Sequence, residues 1–144
     1  MENLLKIGQL KEHPPNAEEI RRLLSAAARN LADAGVTEVS SETRFDAAYK
    51  AIMQAALATL MARGYRPDKG RPGHHQTVVQ SLALTMGLAA SRVAVLDTLR
   101  RKRNLSDYTG EEIDDASADQ CRNEAERLLG DVEAWLRANH PNLT

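Results

Sequence analysis

The chain has 144 residues and a mass of 15.8 kDa, the size of one domain with room for one hydrophobic core. Its hydrophobic content is 42% but its aromatic content only 3%, so alanine and leucine carry the apolar load, a composition that favours helices over sheets. The net charge of −1 hides an asymmetry: residues 1–43 carry −2, residues 44–104 carry +8 and residues 105–144 carry −7. A basic middle and an acidic tail imply either pairing within the bundle or two surfaces with different partners. No apolar run reaches the ~20 residues that a bilayer-spanning helix needs. Met1–Gln9 lacks the basic start and long apolar stretch of a secretory signal. Cys121 stands alone, without a second thiol for a disulfide or a metal site. A cytoplasmic protein is the expectation.

Residues 1–15 read as an N-terminal arm or a short helix. Its Leu4, Leu5 and Leu10 are available for docking, and Pro14-Pro15 ends it. Asn16 with Glu19 resembles a capping box, and Ile20, Leu23, Leu24, Ala27 and Leu31 follow at helical spacing up to Gly35. A second helix is predicted from a cap at Ser40 or Ser41, through Phe45, Ala48, Tyr49, Ile52, Met53, Ala56 and Leu60, to Gly64. Two prolines and two glycines make Tyr65 to Gly73 a loop. A third helix is expected from about His74 to Gly87, with Val78, Val79, Leu82 and Leu84. A fourth runs from Ala90 or Ser91 past Val93, Leu96 and Leu99 into the basic run Arg100-Arg101-Lys102-Arg103 and ends between Asn104 and Gly110. Ser117 and Gln120 form a capping box for the last helix, which continues through Leu128, Leu129, Val132, Trp135 and Leu136 to Pro141. The acidic residues Glu111, Glu112, Asp114 and Asp115 before it lack the ligand order of a calcium loop and read as a solvated linker. The whole chain, 1–144, is therefore expected to form one all-α domain, an antiparallel bundle of four to five helices.

The segment that points to function is Leu99 to Tyr108. Arg100, Arg103, Asn104, Asp107 and Tyr108 recur at intervals of three and four, which places them on one helix face with the apolar Val93 and Leu96. This pattern resembles the HEPN (higher eukaryotes and prokaryotes nucleotide-binding) family. Its members are helical bundles with an Arg-polar-x-x-x-His motif late in one helix, often followed by a tyrosine. Arg103-Asn104 matches the start of that motif, Tyr108 matches the aromatic, and Arg100 fits variants of the form Arg-x-x-Arg-x-x-x-Asp-Tyr. Either arginine fits a family variant. The departure is the motif histidine: counting from Arg100, Arg101 or Arg103, the stretch where it would stand holds Leu105, Ser106, Asp107 and Tyr108, and none of them is His. Aspartate titrates near 4 rather than near 6.5 and repels phosphate, so it is a poor general acid at neutral pH.

His74 and His75 are the candidates to replace that imidazole. They follow Arg66, Lys69, Arg71 and Gly73 at a predicted helix N-terminus, where backbone N–H groups favour anions. The plainer reading is that one histidine caps the helix and the other packs on the loop. His13, His74, His75 and His140 have no metal-ligand spacing, and Gly70 to Gly73 lacks the spacing of a phosphate loop, so neither a metal nor a cofactor is expected. Cys121 reads as a small packing residue and Trp135 as part of the core or of a dimer seam.

The resemblance implies a non-catalytic nucleotide- or RNA-phosphate-binding module in a toxin–antitoxin or stress-defence setting. It implies a homodimer with the basic helix of each subunit facing the other, and a small nucleotidyltransferase as a protein partner. The ligand-binding set would be Arg100, Arg103 and Asn104, oriented by Asp107 and Tyr108, with His74 and His75 beside them. Three alternatives stand next to it: a metal-independent ribonuclease using Arg100 or Arg103 with His74 or His75, a DNA- or RNA-binding protein without chemistry, and a partner scaffold whose arginines engage its own acidic tail.

Overall fold

The computed structural model describes residues 2–6, 8–70 and 73–144, with the backbone alone for Leu5 and Lys6. The chain forms a short helix α1 (Glu2–Lys6), a strand β1 (Leu10–Glu12), helices α2 (Ala17–Ala34) and α3 (Ser41–Ala62), and a strand β2 (Tyr65–Pro67). Helices α4 (His74–Thr85), α5 (Ala90–Thr109) and α6 (Asp115–Asn139) follow, and a 3-10 turn (Pro141–Leu143) closes the described chain. It is an all-α bundle of five long helices with one two-stranded ribbon attached.

Helix α3 is the centre, and its composition explains why. Ala48, Ala51, Ala55, Ala56 and Ala58 are wholly buried on several sides of it, together with Phe45, Ile52 and Leu60. Only one strip, with Thr43, Asp46, Lys50, Met53, Gln54 and Leu57, is left open to solvent, so the other sides of the helix are covered. Its alanines also keep it thin, so that α2, α4 and α6 can all pack against it. Helix α2, by contrast, fully buries only Ile20, Ala27 and Ala34, one residue every seven along a single stripe. Helix α6 buries Ala118, Cys121, Ala125, Leu128, Val132 and Leu136 at helical spacing.

Contact register gives the chain directions. Asn30 of α2 bonds Gln54 of α3, and Ala34 accepts from Arg44 Nε at 2.9 Å, so α2 and α3 run antiparallel. Arg92 pairs with Asp131 and Lys102 bonds Ser117, so α5 and α6 also run antiparallel. Helix α3 instead runs parallel to α4, through Tyr49–His75 and Thr59–Thr85. It runs parallel to α6 as well, through Ser41–Asp115 and Arg44–Asp119. Residues 63–70 make the first parallel step by carrying the chain back along α3 before α4 starts.

That returning segment is not a plain loop. Leu10, Lys11 and Glu12 pair antiparallel with Pro67, Arg66 and Tyr65. The ladder is extended by His13 N–H to the Gly64 carbonyl at 2.8 Å and by Asp68 N–H to the Gln9 carbonyl at 3.0 Å. Gly64 turns the chain from α3 into the ribbon at φ +90°, a conformation side chains resist. Leu10 of the N-terminal arm is 2% exposed and docks, and Leu4 is half-buried, while the side chain of Leu5 lies outside the described residues.

The helix caps are mostly those read from sequence. Asn16 Oδ1 accepts from Glu19 N–H at 3.0 Å, Ser40 accepts from Thr43 N–H, and Gly110 ends α5 at φ +71°. The last helix is the exception. Asp114, not Ser117, is its cap, accepting from Ser117 N–H at 2.8 Å, which starts the helix three residues earlier than expected. These hydrogen bonds hold the Asp114 carboxyl below the usual carboxylate range. Glu111 and Glu112 are exposed and outside any helix, as a solvated linker would be, whereas Asp114 and Asp115 form the helix start, with Ile113 buried between the two parts. Replacing Asn16 with alanine is expected to cost about 1 kcal/mol, since one N–H of the first turn loses its only side-chain partner. Urea unfolding monitored by far-UV circular dichroism measures this directly.

Candidate functional site

The basic end of α5 meets the middle of α3 and the start of α4. Asp46, Tyr49, Lys50 and Met53 lie on the α3 side, His74 and His75 begin α4, and Arg103 projects from α5. Tyr49 is 1% exposed, and its phenol oxygen lies 3.2 Å from His75 Nδ1. The Arg103 guanidinium carbon sits 4.9 Å from the centre of the Tyr49 ring, a cation–π contact. His74 and His75 stack edge to face with centroids 4.4 Å apart. Asn30, Gln54, Lys50 and Met53 complete a cleft of about 420 Å³ that includes His75 and Arg103.

The two candidate arginines have different surroundings. Arg100 is bound at its Nε by Asp97 at 2.8 Å, and Asp97, 7% exposed, also holds Arg101 at 3.0 Å. Arg103 is paired loosely, with Asp46 at 3.5 Å and Asp107 at 4.0 Å. Its Nε is buried and has no hydrogen-bond partner among the described residues. The Nε donor of Arg100 is therefore occupied, whereas that of Arg103 has no partner among the described residues, and of the two only Arg103 lines the cleft.

Protonation follows from burial. Desolvation drives the Tyr49 phenol up to about 12, against the opposing pull of Arg103 and Arg100, so it stays an O–H donor at neutral pH. Burial pushes His75 below the ordinary histidine value, helped by His74, Arg103 and Arg100. A neutral His75 that accepts the Tyr49 O–H at Nδ1 carries its own proton on Nε2. In that tautomer the ring is a hydrogen-bond donor with no free lone pair for a base.

The depressed value has a consequence for folding. The unfolded chain takes up a proton near 6.5, while folded His75 resists it until lower pH. Stability is therefore expected to fall as pH drops through 6.5 and to level off below the folded value. His75→Gln should flatten that acid slope. Urea midpoints between about pH 7.5 and about pH 5 for both proteins test it, and parallel slopes would remove His75 as the cause.

Of the residues singled out in the sequence, the fold brings His74, His75 and Arg103 together, with Arg100 near but engaged. Asn104 is half-buried next to Arg103, and Asp107 is exposed with only its long contact to that arginine. Tyr108 does not belong. It is 90% exposed and orients neither arginine. Five residues separate it from Arg103, about 140° around a helix with 3.6 residues per turn, which turns it off the shared face. Arg71 lies outside the described residues. Asp46, Tyr49 and Lys50 were not singled out as site residues. Their signal was an acid, an aromatic and a base at intervals of three and one inside an alanine-rich stripe.

The remaining candidates fall elsewhere. Cys121 is fully buried, with its thiol pushed up to about 12 chiefly by desolvation and its Sγ 3.8 Å from the Phe45 carbonyl oxygen. It has no nucleophile's environment. Trp135 is partly buried, its ring 5.0 Å from that of His140. Part of the charge asymmetry is consumed inside the bundle, since Arg44 and Arg92 of the basic middle pair with Asp119 and Asp131 of the acidic tail. Among the described residues no group of three or more His, Cys, Asp or Glu is placed to hold a metal ion. Among them, too, no helix is long and apolar enough to cross a membrane. No protein-family model, curated protein or solved structure matches the chain.

Proposed function

We propose that this protein is a non-catalytic module that binds the phosphate of a nucleotide or RNA in the cleft between α3, α4 and α5. The observation that carries the reading is Arg103. It is a guanidinium stacked on a buried tyrosine, with only long ion pairs, at the edge of a cleft it shares with an imidazole N–H donor. Guanidinium suits phosphate because its planar donors match two oxygens at once. Lys50, exposed at the same cleft, adds charge without geometry. Arg103 rather than Arg100 is the phosphate contact, because only Arg103 lines the cleft while Asp97 holds Arg100 at its Nε. The HEPN resemblance of Arg103-Asn104 points the same way. With it come the homodimer, the nucleotidyltransferase partner and the cytoplasmic toxin–antitoxin or stress-defence setting, which rest on that resemblance alone.

One observation favours a second reading. The fold sets a histidine beside the arginine although the helix motif lacks one, which is the pairing a metal-independent ribonuclease uses. That reading requires the tautomer in which His75 Nδ1–H donates to the Tyr49 oxygen and Nε2 keeps a lone pair, because a ring whose Nδ1 accepts the phenol O–H has none free to deprotonate a ribose hydroxyl.

The test is fluorescence anisotropy of a labelled single-stranded RNA titrated with protein across salt, with the same samples run on a gel. Salt-sensitive binding with intact RNA is the expected result. Cleavage abolished by His75→Ala would establish the ribonuclease instead, and no binding at low salt would sink both readings in favour of a protein partner.

A further inference from the structure

The Arg103 cleft does not end at His75. It shares Met53, Gln54 and His75 with a second depression that also takes in Lys69 and His74. That one shares Leu57, Pro67 and Lys69 with a third, which reaches Arg66, and the third shares Leu57 and Met61 with a fourth, bounded by Arg22 and Arg29. The four form one groove along α3 from Tyr49 to Met61, about 18 Å by helix rise. Helix α2 walls one side, and β2 with the start of α4 walls the other.

We infer that this groove carries a single nucleic-acid strand, so that the ligand of the Arg103 site is an oligonucleotide rather than a mononucleotide. The inference rests on the phosphate reading of Arg103 and extends it. Among the described residues, Arg22, Arg29, Lys50, Arg66, Lys69 and Arg103 line the groove against one carboxylate, Glu19, which His13 faces at 3.2 Å. Arg29, Lys50, Arg66 and Lys69 have no ion pair among the described residues. The only ion pair of Arg22 among the described residues is the 4.0 Å one to Glu18, between two exposed side chains. Cations left unpaired on both rims of one channel are the arrangement a polyanion neutralises.

The floor decides between a strand and an acidic amphipathic helix. A docked helix needs a row of apolar anchoring sites at intervals of about three and four residues. Along α3, Met53 and Leu57 offer partly exposed surface but Met61 is only 7% exposed, and the other partly exposed apolar lining, Leu23 and Ala26, lies on the α2 wall, so the anchors do not form one row along the floor. A strand needs less, namely charge along its backbone and patches against which bases can rest. The groove has no exposed Phe, Tyr or Trp for stacking, so binding is dominated by phosphate contacts and tolerant of sequence. At the stacked spacing of roughly 3.4 Å per phosphate, its length holds about five nucleotides.

The test compares uridine monophosphate with a 2′-O-methylated uridine hexamer, using the full chain and the double variant Arg29→Gln/Arg66→Gln, which lies away from Arg103. The hexamer should bind at least about tenfold tighter than the monophosphate at low salt, since several more phosphates are neutralised. The double variant should lose most of that advantage, with its log–log salt slope for the hexamer reduced by about 1.4, while monophosphate binding holds. Equal affinity for the two ligands, or an unchanged slope in the double variant, overturns the strand while leaving the Arg103 reading intact. Weaker binding of both ligands in Arg103→Gln, together with the hexamer advantage in the parent, supports the two together. A hexamer that fails to bind while a leucine- and glutamate-rich helical peptide binds would give the groove to a protein partner.

Discussion

Replacing Phe45 with alanine is expected to remove about 3–5 kcal/mol of unfolding free energy, toward the upper end of that range. Phe45 is the only phenylalanine of the chain, is wholly buried, and sits near the start of α3 where its carbonyl meets the Cys121 thiol of α6. The loss has two parts, the transfer of the ring and the void it leaves. The second part is large here because the surrounding cluster is rich in alanine, whose side chains have no rotamers with which to fill a void. Set against a total of roughly 5–15 kcal/mol for an ordinary domain, the variant would be marginal at 37 °C. Urea unfolding followed by circular dichroism measures the loss. A cost below about 1.5 kcal/mol would show that the start of α3 can collapse onto α6, and the packing described would then be wrong.

The second large effect is functional. Arg103→Gln is expected to weaken RNA binding by about 10–100-fold, the worth of ~1.5–3 kcal/mol for hydrogen bonds to a charged group. The log–log salt slope should fall by about 0.7, one phosphate contact on a single strand. Little folding stability should be lost, because Asp46 and Asp107 are 50% and 58% exposed and are rehydrated when the cation leaves. Arg103→Lys separates charge from shape. It keeps the unit charge but loses the planar fork and the stack on Tyr49, so an intermediate affinity is expected. Parental binding in Arg103→Gln, with a normal circular dichroism spectrum, would remove Arg103 from the site.

The long helices were legible because their signals are local and repeated. Asn16 with Glu19 marks one start, Gly64 and Gly110 mark two ends, and the apolar residues between recur at helical intervals. The ribbon was not legible. Leu10–Glu12 and Tyr65–Pro67 are three residues each, too short for an alternating pattern, and each needs a partner more than fifty positions away. At the last helix the Ser117–Gln120 pair read as the cap, whereas the chain uses Asp114. Burial of Ile113 and Ser117 favours the earlier start, and burial is a tertiary quantity.

The site divides along the same line. Arg103 announced itself through the interval pattern of one helix. That His75 would meet it was a question of how α4 returns alongside α3, which depends on the ribbon. Tyr49 was read only as a member of the core stripe, and so it is, yet its hydroxyl fixes the histidine and its ring face carries the arginine. No intra-helix pattern reveals that a buried phenol serves both roles. Asp97 was missed for a similar reason. Its effect, taking Arg100 out of competition, needs the two side chains to be buried together.

The burial of Cys121 turns the molecule into its own clock. It is the single thiol in the chain, its proton is held well above the range in which thiolate forms, and its sulfur is sealed where α3 lies against α6. An alkylating reagent can reach it only when those two helices part. The rate of modification in native buffer therefore counts separations of the α3–α6 seam, without a probe being introduced. Because α3 also carries Tyr49 and the floor of the groove, any ligand that tightens that helix against its neighbours will slow the clock.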